Sequence, residues 1–276
     1  MSHISTRSNG IRIGLRSGLA LVIASIIGIG AFGWPLLAAP QSGAVAHASD
    51  APWIFALLLP VTLAVVIALF GDGGLDARSV AMLGLFAAVA TALRPLGSGV
   101  AGLDPIFVIL VLGGRALGPA FGFALGLISL FASALVTGGV GPWLPFQMLA
   151  AAWLAMGAGM LPDRLRGRSE VFALAAYGAL AAWSYGVLTN LSFWPWATGL
   201  PASIAFAPGA PLSENLAHWW LFSLATSAGY DIPRGILSGG LLLLIAKPAL
   251  LAIRRATRRA GFGSVVEFTP ITESTG

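Results

Sequence analysis

Apolar runs separated by brief polar punctuation dominate this chain. A helix that crosses hydrocarbon needs about 20 mostly apolar residues, and runs of that order lie at 17–38, 52–70, 78–96, 119–137, 143–161, 169–191 and 232–253. The run at 105–114 is short at its core and crosses only if it starts near Asp104 and continues toward Leu117. A further stretch, 216–224, is too short to cross and reads as an interfacial or re-entrant piece. The pattern predicts an all-α integral membrane protein of about eight spans.

Composition sharpens this picture. The 15 basic and 10 acidic residues are 9% of the chain, against roughly 25% in soluble domains. So few polar groups cannot clothe a water-facing surface of 276 residues. The absence of cysteine removes disulfide scaffolds, thiolate metal sites and cysteine nucleophiles.

Basic residues set the orientation, because cytoplasmic loops carry the excess of Lys and Arg. A cytoplasmic N-terminus places Arg7, Arg12, Arg16, Arg78, Arg115, Arg164, Arg166, Arg168, Lys247, Arg254, Arg255, Arg258 and Arg259 inside. Only Arg94 and Arg234 of the 15 basic residues then lie outside, so an N-in/C-in topology is expected. The run 254–259 reads as a stop-transfer and lipid-headgroup anchor. No basic stripe suited to nucleic acid is formed. Arg12, Arg16, an apolar run and the small-residue stretch 44–48 imitate a signal peptide, but the run exceeds the usual 7–15 residues. A retained first helix is expected.

Several chemistries are missing. There is no G-x-x-x-x-G-K-[ST] loop, and Lys247 is the sole lysine. His3, His47 and His218 are isolated, with no second ligand at helical spacing for a catalytic zinc. No carboxylate cluster for magnesium, no periodic arginine helix and no selectivity-filter sequence occur. By elimination the chain transports a solute, or binds one for a transporter, and is not an enzyme.

Two groups of residues stand out. Small side chains recur at helical spacing: Ala77, Ala81, Gly84, Ala88 and Ala92 in one run, and Gly114, Gly118, Gly122 and Gly126 in another. Such faces allow close helix approach, either inside the protein or against another membrane subunit, and spacing does not choose between them. On the outer side, the 40-residue segment 192–231 carries Trp194, Trp196, Trp219 and Trp220, with Asn190 at its start and Trp143 and Gln147 nearby. These aromatics form either an interfacial belt or the wall of a pocket for a flat organic ligand. Arg94, Asp104, Asp231 and Arg234 are the charges at the outer span ends, where a charge is usually paired or functional. Asp231 and Arg234, three residues apart, can pair across a helical turn or contact a ligand.

Four strings carry a family resemblance. They are R-S-V-A-M-L-G-L-F-A-A-V-A-T-A-L-R from Arg78, G-G-R-A-L-G-P-A-F-G-F from Gly113, T-G-G-V-G-P-W-L-P-F-Q-M from Thr137 and Y-D-I-P-R-G from Tyr230. Together they resemble the substrate-binding (S) components of energy-coupling factor (ECF) transporters, over about residues 76–260. The string around Trp143 is similar to a subgroup associated with cobalamin or a related corrinoid. The resemblance implies a six-helix membrane core at 76–260. Two extra transmembrane helices in 1–75 precede it, and a cytoplasmic tail without expected order, 261–276, follows. It further implies a vitamin ligand, a transmembrane coupling protein, two cytoplasmic ATPases and a bacterial plasma-membrane location. No cofactor of the chain's own is implied, since ATP is used by the partners.

On this reading ligand is captured from outside against Arg94, Asp104, Trp143, Gln147, Asn190, Trp194, Trp196, Asp231 and Arg234. The faces at Ala77, Ala81, Gly84, Ala88, Ala92, Gly118, Gly122 and Gly126 dock on the coupling protein. A self-contained secondary transporter is the main rival, yet it would need internal repeats or acids at the membrane midplane, and the acids here lie at span ends. A membrane enzyme acting on lipid has only His218 with Glu214 or Asp231 to offer. A scaffolding subunit with no ligand is the remaining alternative.

Overall fold

The computed structural model describes residues 15–37, 51–71, 77–97 and 102–259. Within them lie nine helices and no strand: α1 Leu15–Leu37, α2 Ala51–Gly71, α3 Ala77–Leu93, α4 Ile106–Leu117, α5 Pro119–Thr137, α6 Leu144–Gly159, α7 Arg168–Phe193, α8 Leu212–Thr226 and α9 Ala228–Arg259. Short 3₁₀ turns extend α3 through Arg94–Gly97 and α7 through Trp194–Trp196. The predicted tail 261–276, the stretch 44–48, Arg7 and Arg12 lie outside the described residues.

Five helical segments are long and apolar enough to cross a membrane: Gly18–Leu36, Ala77–Gly97, Pro119–Thr137, Arg168–Trp196 and Ala228–Arg258. The other three predicted spans correspond to shorter apolar helices, Leu58–Ala68, Ile106–Leu117 and Leu144–Gly159. At 1.5 Å per residue, α4 rises about 18 Å against a hydrocarbon core of about 30 Å. The run at 105–114 does continue to Leu117, as crossing would require, and remains short. The interfacial piece predicted at 216–224 lies inside α8. Large apolar side chains such as Ile26 and Ile29 of α1, Leu180 of α7 and Leu244 of α9 face outward, as on a surface solvated by lipid. The chain is a multi-pass membrane protein.

Local sequence explains the breaks between helices. Gly118 adopts φ +96° between α4 and α5, its N–H closing α4 on the carbonyl of Gly114. Pro119 then opens α5, where its missing N–H costs nothing. At the far end Gly138 is left-handed, and the Gly139 N–H returns to the Ala134 carbonyl at 2.9 Å. This 6→1 bond ends α5 at Thr137.

Small residues set how closely the helices approach. A Cβ added at Gly114 or Gly122 would strike the backbone of Ala155, and one at Gly126 the backbone of Ala152. The α5–α6 contact is therefore backbone against backbone, and the end of α4 joins it. Gly235 and Gly239 bring α9 close to the α7 backbone at Ala179 and Ala175, and Gly178 makes room for the Leu242 side chain. Helix α3 packs on α4 and α5 through Leu83, Ala87 and Ala90, with Phe86 edge-on to Phe121. The two N-terminal helices cover another side: α1 lies on α6, α7 and α8, and α2 on α5 and α6.

Connectivity gives the bundle two ends. One gathers the α3–α4 and α5–α6 connections and the start of α9. The other gathers the α4–α5 and α6–α7 connections and the end of α9.

Candidate functional site

The first of these ends carries a buried polar cluster. Arg94 follows directly on α3, where Pro95 turns the chain away from the helix. Its Nη2 donates to Oε1 of Gln147, in the first turn of α6, at 3.5 Å. Asp104 sits in the tight 102–105 connection. Gly102 holds that connection against α9, with φ +74° and a Cβ position 2.5 Å from the Tyr230 carbonyl and 2.7 Å from Pro233. The contact brings Asp104 under the influence of both Arg94 and Arg234.

Arg234 is one turn into α9. Its Nη1 donates to Oδ1 of Asp231 at 2.6 Å, and its guanidinium carbon lies 5.7 Å from the Phe107 ring centre and 5.6 Å from that of Tyr185. Those two rings meet edge to face at 4.8 Å, so the cation rests against two aromatic groups. Asp231 is fully engaged. Its second oxygen accepts from Ser227 at 2.6 Å, and Ser227 in turn accepts from Asn190 Nδ2 at 2.6 Å. Gly186 of α7 makes room for that carboxylate, since a Cβ there would overlap it.

The cluster is not saturated. Among the described residues, Asp104 Oδ1, Tyr185 Oη and Arg234 Nε are buried without a well-formed hydrogen bond, the Arg94 guanidinium lying beside the Tyr185 hydroxyl. An unmet buried polar atom is costly, and three in one cluster are groups that a bound polar molecule would satisfy. Burial pushes the Asp104 carboxyl above its ordinary range, although Arg94 and Arg234 pull the other way. Burial that the neighbouring cations do not fully compensate makes Asp104 a candidate functional residue. The free valences offer donors from arginine and tyrosine and an acceptor from Asp104, which suits a polar organic ligand.

Of the nine ligand residues expected from sequence, Arg94, Asp104, Gln147, Asp231 and Arg234 come together here, and Asn190 joins through Ser227. The tryptophans go elsewhere. Trp194 is completely buried, its indole N–H held by the Ile204 carbonyl at 2.7 Å, so it folds its own segment. Trp196 lies against Trp34 of α1, ring centres 5.7 Å apart. Trp143 is exposed and bonded to Gly139 within its own turn. Phe107, Tyr185 and Ser227 were not singled out from sequence. Tyr185 carried a signal, a polar tip within an otherwise apolar span; Phe107 and Ser227 carried none.

The two small-residue faces also part company. Ala77, Ala81, Gly84, Ala88 and Ala92 form an exposed face of α3, and a Cβ on Gly84 would meet nothing within 4 Å. Gly122 and Gly126 are instead filled by α6, and Gly118 is the strained turn before α5.

The opposite end is closed by ion pairing. Glu170, buried at the start of α7, accepts from Arg115 Nε at 2.7 Å and from Arg254 at 2.6 and 3.0 Å. Arg115 also donates to the carbonyls of Leu161 and Leu165, at 2.7 and 3.1 Å. This clasp ties together α4, the α6–α7 turn, α7 and α9.

Residues 78–250 match the family model "ECF transporter, substrate-specific component". Neither the curated proteins nor the solved structures gave a match. The matched region covers more than half of the chain and includes α3 to α8, most of α9 and every member of the polar cluster. The chain therefore belongs to the family of substrate-specific components of ECF transporters.

Proposed function

We propose that this chain is the substrate-capture subunit of an ECF-type importer and that it binds a vitamin, with cobalamin or a related corrinoid as the favoured ligand. The observation that carries the reading is the set of unmet buried polar atoms at Asp104, Tyr185 and Arg234, gathered within the family-matched helices. Ligand enters at this end, which faces the outside in an N-in/C-in topology of about eight spans. The clasped end, with Arg164, Arg166, Arg168, Arg255 and Arg258 exposed around it, faces the cytoplasm of a bacterial cell.

Residues 76–260 supply the ligand-binding core, and 1–75 supply an added helix pair. The exposed α3 face at Ala77, Ala81, Gly84, Ala88 and Ala92 docks on the transmembrane coupling protein, because small side chains let a partner helix come close. Two cytoplasmic ATPases drive delivery. The chain itself uses no cofactor and hydrolyses no ATP.

Binding of cyanocobalamin to the purified chain, followed by isothermal titration, tests the ligand. Saturable binding that is lost in Arg94→Ala supports the reading. Binding of a different vitamin at the same residues overturns the corrinoid assignment alone, and no binding of any vitamin overturns the capture function.

A further inference from the structure

We propose that Trp34 of α1, outside the family-matched region, is a positioning residue that latches the 194–211 segment and α8 over the polar cluster. Helix α1 is itself firmly placed. Its Ser25 accepts from the Trp153 indole at 3.0 Å, Gly28 lets Leu149 and Trp153 approach closely, and Phe32 meets Phe146 edge-on at 5.0 Å. From this fixed helix Trp34 reaches the segment after α7, 5.7 Å from Trp196 and 6.0 Å from Phe206, measured between ring centres. Phe206 in turn rests 5.2 Å from Trp194.

The segment moves with α8. Asn215 grips Ala207 through both backbone groups, donating to its carbonyl at 2.8 Å and accepting from its N–H at 3.1 Å. His218 Nδ1 lies 2.9 Å from the Ala205 carbonyl. Helix α8 ends at Ser227, the residue that joins Asn190 to Asp231 inside the cluster. An unbroken series of contacts therefore runs from Trp34 to the candidate site.

Helix α8 cannot hold this unit down alone. Only Asn215, Phe222 and Ser223 of its residues are buried, Leu216, Leu221 and Leu224 are exposed, and the half-exposed Trp220 meets Trp183 of α7 edge-on at 5.9 Å. An element with so few buried side chains opens readily, so its anchor on α1 sets how often it does. Helix α1 thus has a task that the family-matched helices do not supply.

Hydrogen–deuterium exchange on the full chain in detergent needs no ligand, so its outcome is separate from the transport reading. Trp34→Ala should raise exchange across 197–211 and the first turn of α8 roughly 5- to 150-fold, the size expected for losing two aromatic contacts. Helices α3 to α6 should be unchanged, and Trp34→Phe should restore most of the protection. Phe206→Leu, acting from the other side of the contact, should reproduce the pattern even if Trp34→Ala fails to fold. The chain has no cysteine, so Ser227→Cys can be labelled with an impermeant maleimide, faster in the Trp34→Ala background. Leu83→Ala, a buried change on α3 away from α1 and the segment, is the control. Unchanged exchange at 197–211 in Trp34→Ala and Phe206→Leu, or the same local pattern in Leu83→Ala, would overturn the latch.

Discussion

Arg94 and Gln147 stand 53 residues apart in sequence and 3.5 Å apart in space, the guanidinium at the end of α3 donating to the amide at the start of α6. The bond is long, and Arg94 lies beside an acid with an unmet oxygen. Helix α3 also carries the exposed small-residue face, so one helix bears a cation of the candidate site at its end and a candidate partner surface along its side.

Ligand binding should depend on Arg94 far more than folding does. Hydrogen bonds to charged groups are worth about 1.5–3 kcal/mol, so Arg94→Ala should weaken binding roughly 10- to 150-fold. Gln147→Ala should cost less, and the double variant should fall short of the sum because the two side chains form one unit. Isothermal titration with cyanocobalamin, or with whatever molecule copurifies, reads the affinities, and melting curves check that the fold is unchanged.

Stability should respond to pH through Asp104. Its folded-state pKa is raised from 3.8 by burial, so the native state prefers the protonated acid. Ionisation then penalises folding above the folded-state pKa, and the penalty vanishes as pH falls below the ordinary value. Asp104→Asn should therefore melt higher than the parent chain near pH 7, with the gap closing toward pH 4. Thermal scans across that range check the sign. A lower melting point at pH 7 would mean that Arg94 and Arg234 outweigh burial.

The clasp at the other end should be structural. Replacing Glu170 by Gln leaves Arg115, whose side chain is 5% exposed, without its anion. Breaking a buried pair from one side costs about 3–5 kcal/mol. Ligand affinity at the far end should be nearly unchanged in protein that still folds. Denaturation in mixed micelles and titration on the same sample separate the two effects.

Two small-to-large changes should give opposite outcomes. Gly126→Val collides with the Ala152 backbone and should prevent folding or lower the melting point sharply. Ala88→Leu falls on the exposed α3 face and should leave stability and ligand affinity intact while abolishing uptake. Whole-cell uptake beside binding by the purified protein makes the comparison. Normal uptake in Ala88→Leu would remove α3 as the docking face.

These contrasts show what could be read from sequence. Asp231 and Arg234 were visible as a pair because a charge near hydrocarbon is rare and three-residue spacing puts two side chains on one helix face. Gly126 and Ala88 looked alike because periodicity tells which residues share a face, not what that face meets. The tryptophans were ambiguous for a related reason. Tryptophan is common in belts and in pockets alike, and the 2.7 Å bond from the Trp194 indole to the Ile204 carbonyl is a contact that no spacing announces. Glu170 went unremarked at the start of its span, although its two arginine partners were both counted among the cytoplasmic charges.

The central claim is that this chain captures a small molecule for ATPases it does not itself contain. Isolating the tagged full chain from native membranes in mild detergent, with mass spectrometry of everything retained, tests it most directly. The account predicts a coupling membrane protein, two ATPase subunits and a vitamin-sized organic ligand, the ligand being lost in Arg94→Ala and the coupling protein in Ala88→Leu. A chain that purifies alone, and in liposomes moves solute on a proton or sodium gradient, would contradict it.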